Sequence, residues 1–206
     1  MNELRNKLKE ELKKPLPGIP YQLKLAPELR SSIVFKGTEI YASVLLLIFP
    51  DASNNPSIVF MKRPTYNGHH SGQISFPGGK QESYDKSLEK TALRETSEEI
   101  GINIEKVEII GELTELFIPV SGFLVHPFIG WSNSQLLFNP DENEVEYLIV
   151  FPLKELLSLN ISETCFTNDE KRNKVPFYNI KNEIIWGATS MILSEFIEVL
   201  KRTESH

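Results

Sequence analysis

A glycine pair followed by a charged helical segment is the part of this sequence best suited to chemistry. The pair at 78–79 precedes Arg94, Glu95, Glu98 and Glu99. Residues three and four apart lie on one side of an α-helix, so the three glutamates are predicted to share a flank. Like charges at that spacing repel, and Arg94 neutralises only part of the repulsion. Mg²⁺ or Mn²⁺ would neutralise the rest, because hard cations prefer carboxylate oxygens and keep water ligands for substrate phosphates.

A solvent-exposed helix surface is the alternative interpretation of the three glutamates, since such strings are common in helices. The upstream "FPGGK" favours a binding site, because paired glycines allow a sharp turn or a close approach of the backbone to a ligand. A glycine turn that leads into a carboxylate-lined helix suits a metal-bound diphosphate better than plain surface.

The helix that carries these charges is predicted from about Asp85 to Ile100. Asp85 is a candidate N-cap, and Gly101 is placed to end the helix in the left-handed conformation. An apolar stripe is predicted to bury the side next to the glutamates, and its members are Leu88, Ala92, Leu93, Thr96 and Ile100.

The remaining elements predict an α/β (α+β) fold, with a mixed β-sheet sandwiched between helices. Strand patterns occupy 40–50, 57–63, 104–117, 121–131 and 144–151, with a late hairpin at 175–180 and 183–187. Further helices are predicted at 1–14, 152–159 and 188–200. Residues 1–30 are interpreted as an N-terminal helix and a proline-rich arm, and residues 31–206 as the main domain.

Composition narrows the class of protein. A chain of 206 residues with 40% hydrophobic residues suits one domain, and the net charge of −6 argues against a surface that coats nucleic acid. The single cysteine, Cys165, excludes an internal disulfide. No apolar run approaches the ~20 residues of a membrane span, and the charged N-terminus does not resemble a secretory signal. The expectation is a cytoplasmic protein that binds neither membrane nor nucleic acid.

The charged segment resembles the Nudix box, a pattern of the form G-x5-E-x7-R-E-U-x-E-E-x-G-U. Gly79 opens the pattern here, and Asp85 stands for its early glutamate with one extra residue before Arg94. Thr96 occupies a position where an aliphatic residue is usual. Other segments resemble the coenzyme A diphosphatase subfamily over roughly residues 15–200: "HSGQISFPGGK", "ALRETSEEIGI", "SGFLVHPFIG", "NPDENEVEYLIVFPL" and "IWGATSMIL".

The resemblance implies roles for the box residues and for one residue outside it. Glu95 and Glu99 are expected to bind the metal directly, with Glu98 a ligand either directly or through water. Arg94 is expected to orient the carboxylates. Either Glu98 or Glu144 is expected to take the proton from the attacking water. Further candidates are the Gly79 carbonyl as a metal ligand, and Arg63, His70 and Gly78 as substrate-binding residues.

One departure from the subfamily bears on the substrate. A Leu-Arg pair linked to coenzyme A recognition is replaced here by Asn67 and Gly68, and arginine is a bidentate phosphate partner. The leading expectation is hydrolysis of coenzyme A or acyl-coenzyme A. The alternatives are another small nucleotide substrate (ADP-ribose, a dinucleoside polyphosphate or a nucleoside triphosphate) and a non-catalytic Nudix-like binding module. The sequence leaves open whether the protein forms a homodimer.

Overall fold

The computed structural model describes residues 1–27, 37, 39–65, 72–165 and 174–204. The helices in these ranges are α1 (Asn2–Leu12), α2 (Ile19–Gln22), α3 (Leu88–Ile100), α4 (Leu153–Leu156) and α5 (Gly187–Glu204). The strands are β1 (Ile40–Pro50), β2 (Pro56–Lys62), β3 (Ile74–Ser75), β4 (Gly78–Lys80), β5 (Glu108–Glu112), β6 (Leu116–Ile118), β7 (Phe123–Trp131), β8 (Tyr147–Pro152), β9 (Ser162–Cys165), β10 (Lys174–Ile180) and β11 (Glu183–Trp186). Short 3₁₀ turns cover Leu23–Leu25 and Ile104–Lys106. Each helix in the described ranges is too short or too polar to span a lipid bilayer.

A mixed sheet with β1 at its centre forms the framework of the molecule. β1 runs parallel to β7 along one edge, while β2 and β4 pair antiparallel with the other edge. β2 pairs with β1 only as far as Ile58, and β3 pairs with the same edge at Met61 and Lys62. β8 pairs with the other edge of β2 from Ser57 to Lys62. The end of β2 and the start of β4 therefore lie apart at the same edge of β1. A smaller antiparallel sheet has the order β11-β10-β9.

Helices cover both faces of the mixed sheet, as predicted. Alternate residues of β1 face opposite ways: Leu46 and Ile48 join the core under α5, and Leu45 and Leu47 join the core under α3. A strand that is buried on both faces has a largely continuous apolar sequence, which explains the segment "SVLLLIF" at 43–49 of β1. The α3 layer presents its charged flank at the edge of the sheet where β2 and β4 diverge.

The N-terminal segment packs against the sheet and α5. Leu8 of α1 is fully buried, and Arg5 and Lys9 both pair with Glu108 at the start of β5.

A fully buried carboxylate, Glu195 of α5, holds the arm between α1 and α2. It accepts hydrogen bonds from Gln22 Nε2 at 2.8 Å, Thr114 Oγ1 at 2.7 Å and the Gly18 backbone N–H at 3.1 Å. Several donors on one carboxylate offset the cost of burying its charge.

The ends of α3 confirm one prediction and correct another. Gly101 ends the helix with a φ of 66°, as predicted. The N-cap prediction for Asp85 is wrong: α3 begins at Leu88, and the Ser87 hydroxyl oxygen accepts from the Lys90 N–H at 3.2 Å. Asp85 does not cap the helix because its carboxylate binds Arg94.

Two other segments differ from the sequence prediction. Residues 104–117, predicted as strand throughout, form a 3₁₀ turn followed by β5 and β6. The glycine-containing loop includes the short strands β3 and β4, which exist through pairing with distant strands. β4 has no strand-like composition. The late hairpin is confirmed, with both turn residues, Lys181 and Asn182, at positive φ.

Candidate active site

The glycine pair lies where backbone and carboxylate meet, and neither glycine has room for a side chain. A Cβ on Gly78 would lie 2.2 Å from the Ser43 carbonyl oxygen, and the φ of Gly78 is 147°. A Cβ on Gly79 would lie 2.5 Å from Glu95 Oε2. The pair therefore allows β4 to lie against β1 while an α3 carboxylate approaches its backbone.

Glu99 is fixed between β4 and the end of β2. Its side chain is only 2% exposed, and the Gly78 backbone N–H donates to Oε2 at 2.7 Å. Arg63, the residue after β2, donates from Nη2 to Glu99 Oε1 at 3.0 Å. Arg63 Nη2 also lies 3.4 Å from the Gly78 carbonyl oxygen. The carboxylate thus joins the helix to both diverging strands.

Glu95 and Glu98 share an arginine but differ in exposure. Arg94 Nη1 lies 2.9 Å from Glu95 Oε1 and 2.8 Å from Glu98 Oε2. The Glu95 side chain is 17% exposed and the Glu98 side chain 57% exposed. The glutamates therefore run from buried to exposed across the helix flank, with Glu99 deepest and Glu98 outermost.

Asp85 binds and orients the guanidinium of Arg94, which pairs with Glu95 and Glu98. Arg94 donates from Nε to Asp85 Oδ1 at 2.9 Å and from Nη2 to Oδ2 at 2.8 Å. Asp85 Oδ2 also accepts from the Thr91 hydroxyl at 3.0 Å. The hydrogen bonds from Arg94 hold the pKa of Asp85 well below its usual value. A bidentate pair of this kind fixes the direction as well as the position of an arginine.

Glu144 lies in a loop that packs against the C-terminal end of α3. The Asp141 N–H donates to the Glu99 carbonyl oxygen at 2.9 Å, and the Glu144 N–H donates to the Asp141 carbonyl oxygen at 3.0 Å. Gly101 permits this packing, because a Cβ there would lie 2.1 Å from the Asn139 carbonyl oxygen. The end of α3 thus positions a carboxylate that lies 45 residues further along the chain than Glu99.

A cavity of about 320 Å³ lies between these elements. Its lining joins three carboxylates and one arginine with backbone and small groups: Arg63, Pro64, Gly78, Gly79, Glu95, Glu99, Asn143 and Glu144. A concave, charged site of this kind suits a small anionic ligand that arrives with a cation.

Burial and neighbouring carboxylates raise the pKa of two cavity residues, Glu95 and Glu99. Burial raises the pKa of Glu99 to about 7, with further increases from the charges of Glu95 and Glu144, although Arg63 and the Gly78 N–H oppose the shift. Burial also raises the pKa of Glu95 against the opposing effect of Arg94. Negative charge is therefore only partly compensated by the arginines, and a further cation in the cavity would be stabilised.

The donor set fits a hydrated hard cation. Within the ranges that the structure describes, no group of three or more His, Cys, Asp or Glu side chains is arranged to hold a metal ion. Mg²⁺ commonly binds through one or two carboxylates while water and substrate phosphates complete its coordination. Glu95 and Glu99, which line the cavity together with Glu144, meet that requirement.

Comparison with known proteins decides the family. Residues 41–169 match the family described as NUDIX domain. The chain belongs to the Nudix family.

Two curated relatives carry the name uncharacterized Nudix hydrolase NudL. The protein of Pectobacterium atrosepticum is 32% identical over 176 residues, covering 85% of this chain and 88% of the relative. The protein of Yersinia pestis (strain Pestoides F) is 34% identical over 166 residues, covering 80% and 82%. A crystal structure of the Nudix hydrolase RenU from M. smegmatis shares the fold, with a TM-score of 0.51, 14% identity, and coverage of 81% of this chain and 87% of that chain. The present protein is a Nudix hydrolase, of the enzyme class that cleaves phosphoanhydrides.

The predicted site residues of this Nudix hydrolase divide into three groups. Those that line the cavity are Arg63, Gly78, Gly79, Glu95, Glu99 and Glu144. Arg94 and Glu98 lie beside it, joined by their ion pair. His70 lies outside the described residues, as do Asn67 and Gly68.

Two contributions to the Nudix site were missed from the sequence. Asn143 lines the cavity, and its backbone N–H and side-chain amide both donate to Asp141 Oδ1, at 2.9 Å and 2.8 Å. Pro64 lines it at the end of β2. The signal for Asn143 was its neighbour Glu144, since both belong to the segment "NPDENEV".

Replacing Asp85 by asparagine tests its hold on Arg94. We expect Asp85→Asn to lower the free energy of unfolding at pH 7 by about 2 kcal/mol, because a charged hydrogen-bond partner is lost. The folded pKa of Asp85 lies below the unfolded one, so its contribution is present above about pH 4 and is lost as the pH falls further. Urea unfolding at pH 7, 5 and 3.5 measures the difference between wild type and variant.

Hydrolysis should fall by roughly tenfold in the same variant, as for other partners that orient a ligand. Asp51→Asn is the matched control, since Asp51 accepts hydrogen bonds in the β1–β2 turn away from the cavity. Equal unfolding free energies for Asp85→Asn and wild type at pH 7 would contradict the assignment.

Replacing Gly79 by alanine tests the close approach of Glu95. All three Glu95 carboxyl atoms lie within 2.8 Å of the added Cβ, so the carboxylate has to move. We expect kcat to fall roughly ten- to a hundredfold, because small displacements of reacting groups are costly. Gly122→Ala is the control, with a φ of 72° and no atom near the added Cβ. Steady-state rates that fall equally in both variants would rule out the local explanation.

Proposed function

We propose that this Nudix hydrolase cleaves the diphosphate linkage of coenzyme A or acyl-coenzyme A with Mg²⁺ or Mn²⁺ as cofactor. The products are adenosine 3′,5′-bisphosphate and phosphopantetheine or its acyl derivative. The observation that carries the diphosphate chemistry is the cavity in which Glu95, Glu99 and Glu144 face Arg63.

The roles of the residues follow from their places around the cavity. Glu95 and Glu99 hold the cation, which when bound neutralises phosphate charge and makes water a better nucleophile. Arg63 donates to a phosphate oxygen from the strand-end side, and the Gly78 backbone lines the cavity beside that phosphate. Arg94 keeps Glu95 oriented through its ion pair. Glu144 accepts the proton of the attacking water, because it lines the cavity and Glu98 is not among the lining residues.

The choice of coenzyme A rests on the sequence resemblance. The segments "HSGQISFPGGK" and "IWGATSMIL" resemble the coenzyme A diphosphatase subfamily at two well-separated places in the chain. A second candidate substrate class keeps the same chemistry: ADP-ribose, a dinucleoside polyphosphate or a nucleoside triphosphate. The replacement of the Leu-Arg pair by Asn67 and Gly68 favours this alternative, since a phosphate-binding arginine is missing.

A substrate panel distinguishes these possibilities. Wild-type protein with Mg²⁺ or Mn²⁺ is incubated separately with coenzyme A, acetyl-coenzyme A, 3′-dephospho-coenzyme A, ADP-ribose, diadenosine tetraphosphate and ATP, and the products are identified by mass spectrometry. The proposal predicts the highest kcat/KM for coenzyme A or its acyl derivative, with adenosine 3′,5′-bisphosphate among the products.

Each other outcome has a clear meaning. A preference for ADP-ribose or a dinucleoside polyphosphate would show that the proposed substrate is wrong, while the proposed active site would stand. An absence of metal-dependent turnover on the whole panel would favour a binding module instead. Glu99→Gln protein, purified in parallel, measures the contribution of contaminating hydrolases.

A further inference from the structure

Two cations at the end of β2 lie on opposite faces of the sheet. Arg63 reaches Glu99 in the cavity at 3.0 Å, on the face covered by α3. Lys62, its neighbour, donates from Nζ to Glu183 Oε2 at 2.9 Å. Successive side chains of a strand point to opposite faces, so the Lys62 contact lies behind the cavity. The end of the strand is therefore held from both sides by carboxylates.

Glu183 also holds the strand that follows Glu144. Its Oε1 accepts a hydrogen bond from the Tyr147 hydroxyl, and Tyr147 is paired with Lys62 across β2 and β8. The backbone between them is continuous with the cavity loop, because the Glu146 N–H donates to the Lys62 carbonyl oxygen at 2.8 Å. One carboxylate of β11 thus binds the side chains at the ends of both strands that lead to the cavity.

The hydrogen bonds around Glu183 have a defined direction, with Lys62 and Tyr147 as donors and Glu183 as the acceptor. The Tyr147 hydroxyl and the Lys62 ammonium lower the pKa of Glu183, which is therefore ionised at neutral pH. The hydrogen bond to Glu183 raises the pKa of Tyr147 to about 12, so its hydroxyl keeps the proton that it donates. The side chains of Lys62 and Glu183 are 19% and 27% exposed, and partly exposed ion pairs add little to global stability. Their charge-assisted hydrogen bonds do fix geometry.

We infer that Glu183 is a positioning residue for hydrolysis: it binds Lys62 and Tyr147 behind the sheet and so fixes Arg63 and Glu144 in the cavity. The inference rests on the proposed diphosphatase function. Glu183 lies in the small second sheet and does not line the cavity. It is therefore not assigned a contact with the substrate. Its effect on the reaction is exerted by fixing the end of β2, next to Arg63, and the start of β8, close to Glu144.

Steady-state kinetics on the preferred substrate at saturating metal tests the inference. We expect Glu183→Gln and Lys62→Met to lower kcat by roughly tenfold or more with KM within about twofold, because the groups are displaced and not removed. Lys62→Arg preserves a cation for Glu183 and should restore most of kcat. Glu163→Gln is the matched control: it breaks an ion pair in the same small sheet, with Lys174 at 2.9 Å, and should leave kcat unchanged.

Hydrogen–deuterium exchange supplies a readout that needs no turnover. Peptides covering 143–150 should exchange faster in Glu183→Gln than in wild type or Glu163→Gln. Unchanged kcat in Glu183→Gln, or a rise in KM alone in Lys62→Met, overturns the positioning role while the diphosphatase function stands. A wild type that turns over no substrate overturns the function and this role together.

Discussion

Replacing Glu99 by glutamine should abolish hydrolysis while the protein stays folded. Glu99 is the most buried carboxylate of the cavity, and its negative charge is the one best placed to hold a cation against a phosphate. Loss of several kcal/mol of metal-dependent stabilisation corresponds to a fall in kcat of about a thousandfold or more. The substitution keeps the shape of the side chain, and the amide oxygen still accepts from the Gly78 N–H.

The measurement is the initial rate at saturating Mn²⁺ together with the thermal unfolding midpoint. Glu89→Gln is the matched control, on the same helix but away from the cavity. We expect the control to retain the wild-type rate. A Glu99→Gln enzyme within tenfold of wild type would remove Glu99 from the metal site.

Replacing Glu144 by glutamine should have the next largest effect. General-base catalysis contributes about a hundredfold to ten-thousandfold, and Glu144 is the carboxylate that faces the cavity without an arginine partner among the described contacts. We expect kcat to fall within that range while KM changes little, because a proton acceptor acts in the transition state.

Two comparisons make the Glu144 result specific. Glu142→Gln removes an exposed charge two residues away in the same loop, which tests for a general effect of charge on the rate. Glu98→Gln tests the other candidate for the proton acceptor. A larger loss of kcat in Glu98→Gln than in Glu144→Gln would reverse the assignment of the base.

Local sequence patterns predicted the part of the site that one helix carries. The spacing of Arg94, Glu95, Glu98 and Glu99 is a property of α3 alone, and Gly101 ends that helix as its preference for positive φ indicates. The same pattern cannot tell how far each carboxylate is buried. Burial depends on β4 and β2, which approach α3 only in the folded chain.

The rest of the site depends on contacts between distant residues. The prediction of Asp85 as an N-cap failed because a guanidinium nine residues away competes for the carboxylate. β4 was missed because glycine has little preference for strands, and its pairing with β1 is long-range. Glu144 was a candidate through the family resemblance alone, and its place beside α3 depends on the bond from Asp141 to Glu99; the contact of Glu183 depends on a lysine 121 residues away. Neither leaves a periodic signal in the sequence.

The central claim is that the carboxylates of Glu95 and Glu99 hold a divalent cation in the cavity beside Arg63. Anomalous diffraction from crystals of the protein grown with Mn²⁺ tests it most directly. The account predicts an anomalous peak inside the cavity, within about 2.3 Å of oxygens from both glutamates. A peak that contacts only exposed carboxylates such as Glu98, or density in the cavity with no anomalous signal at saturating Mn²⁺, would contradict it.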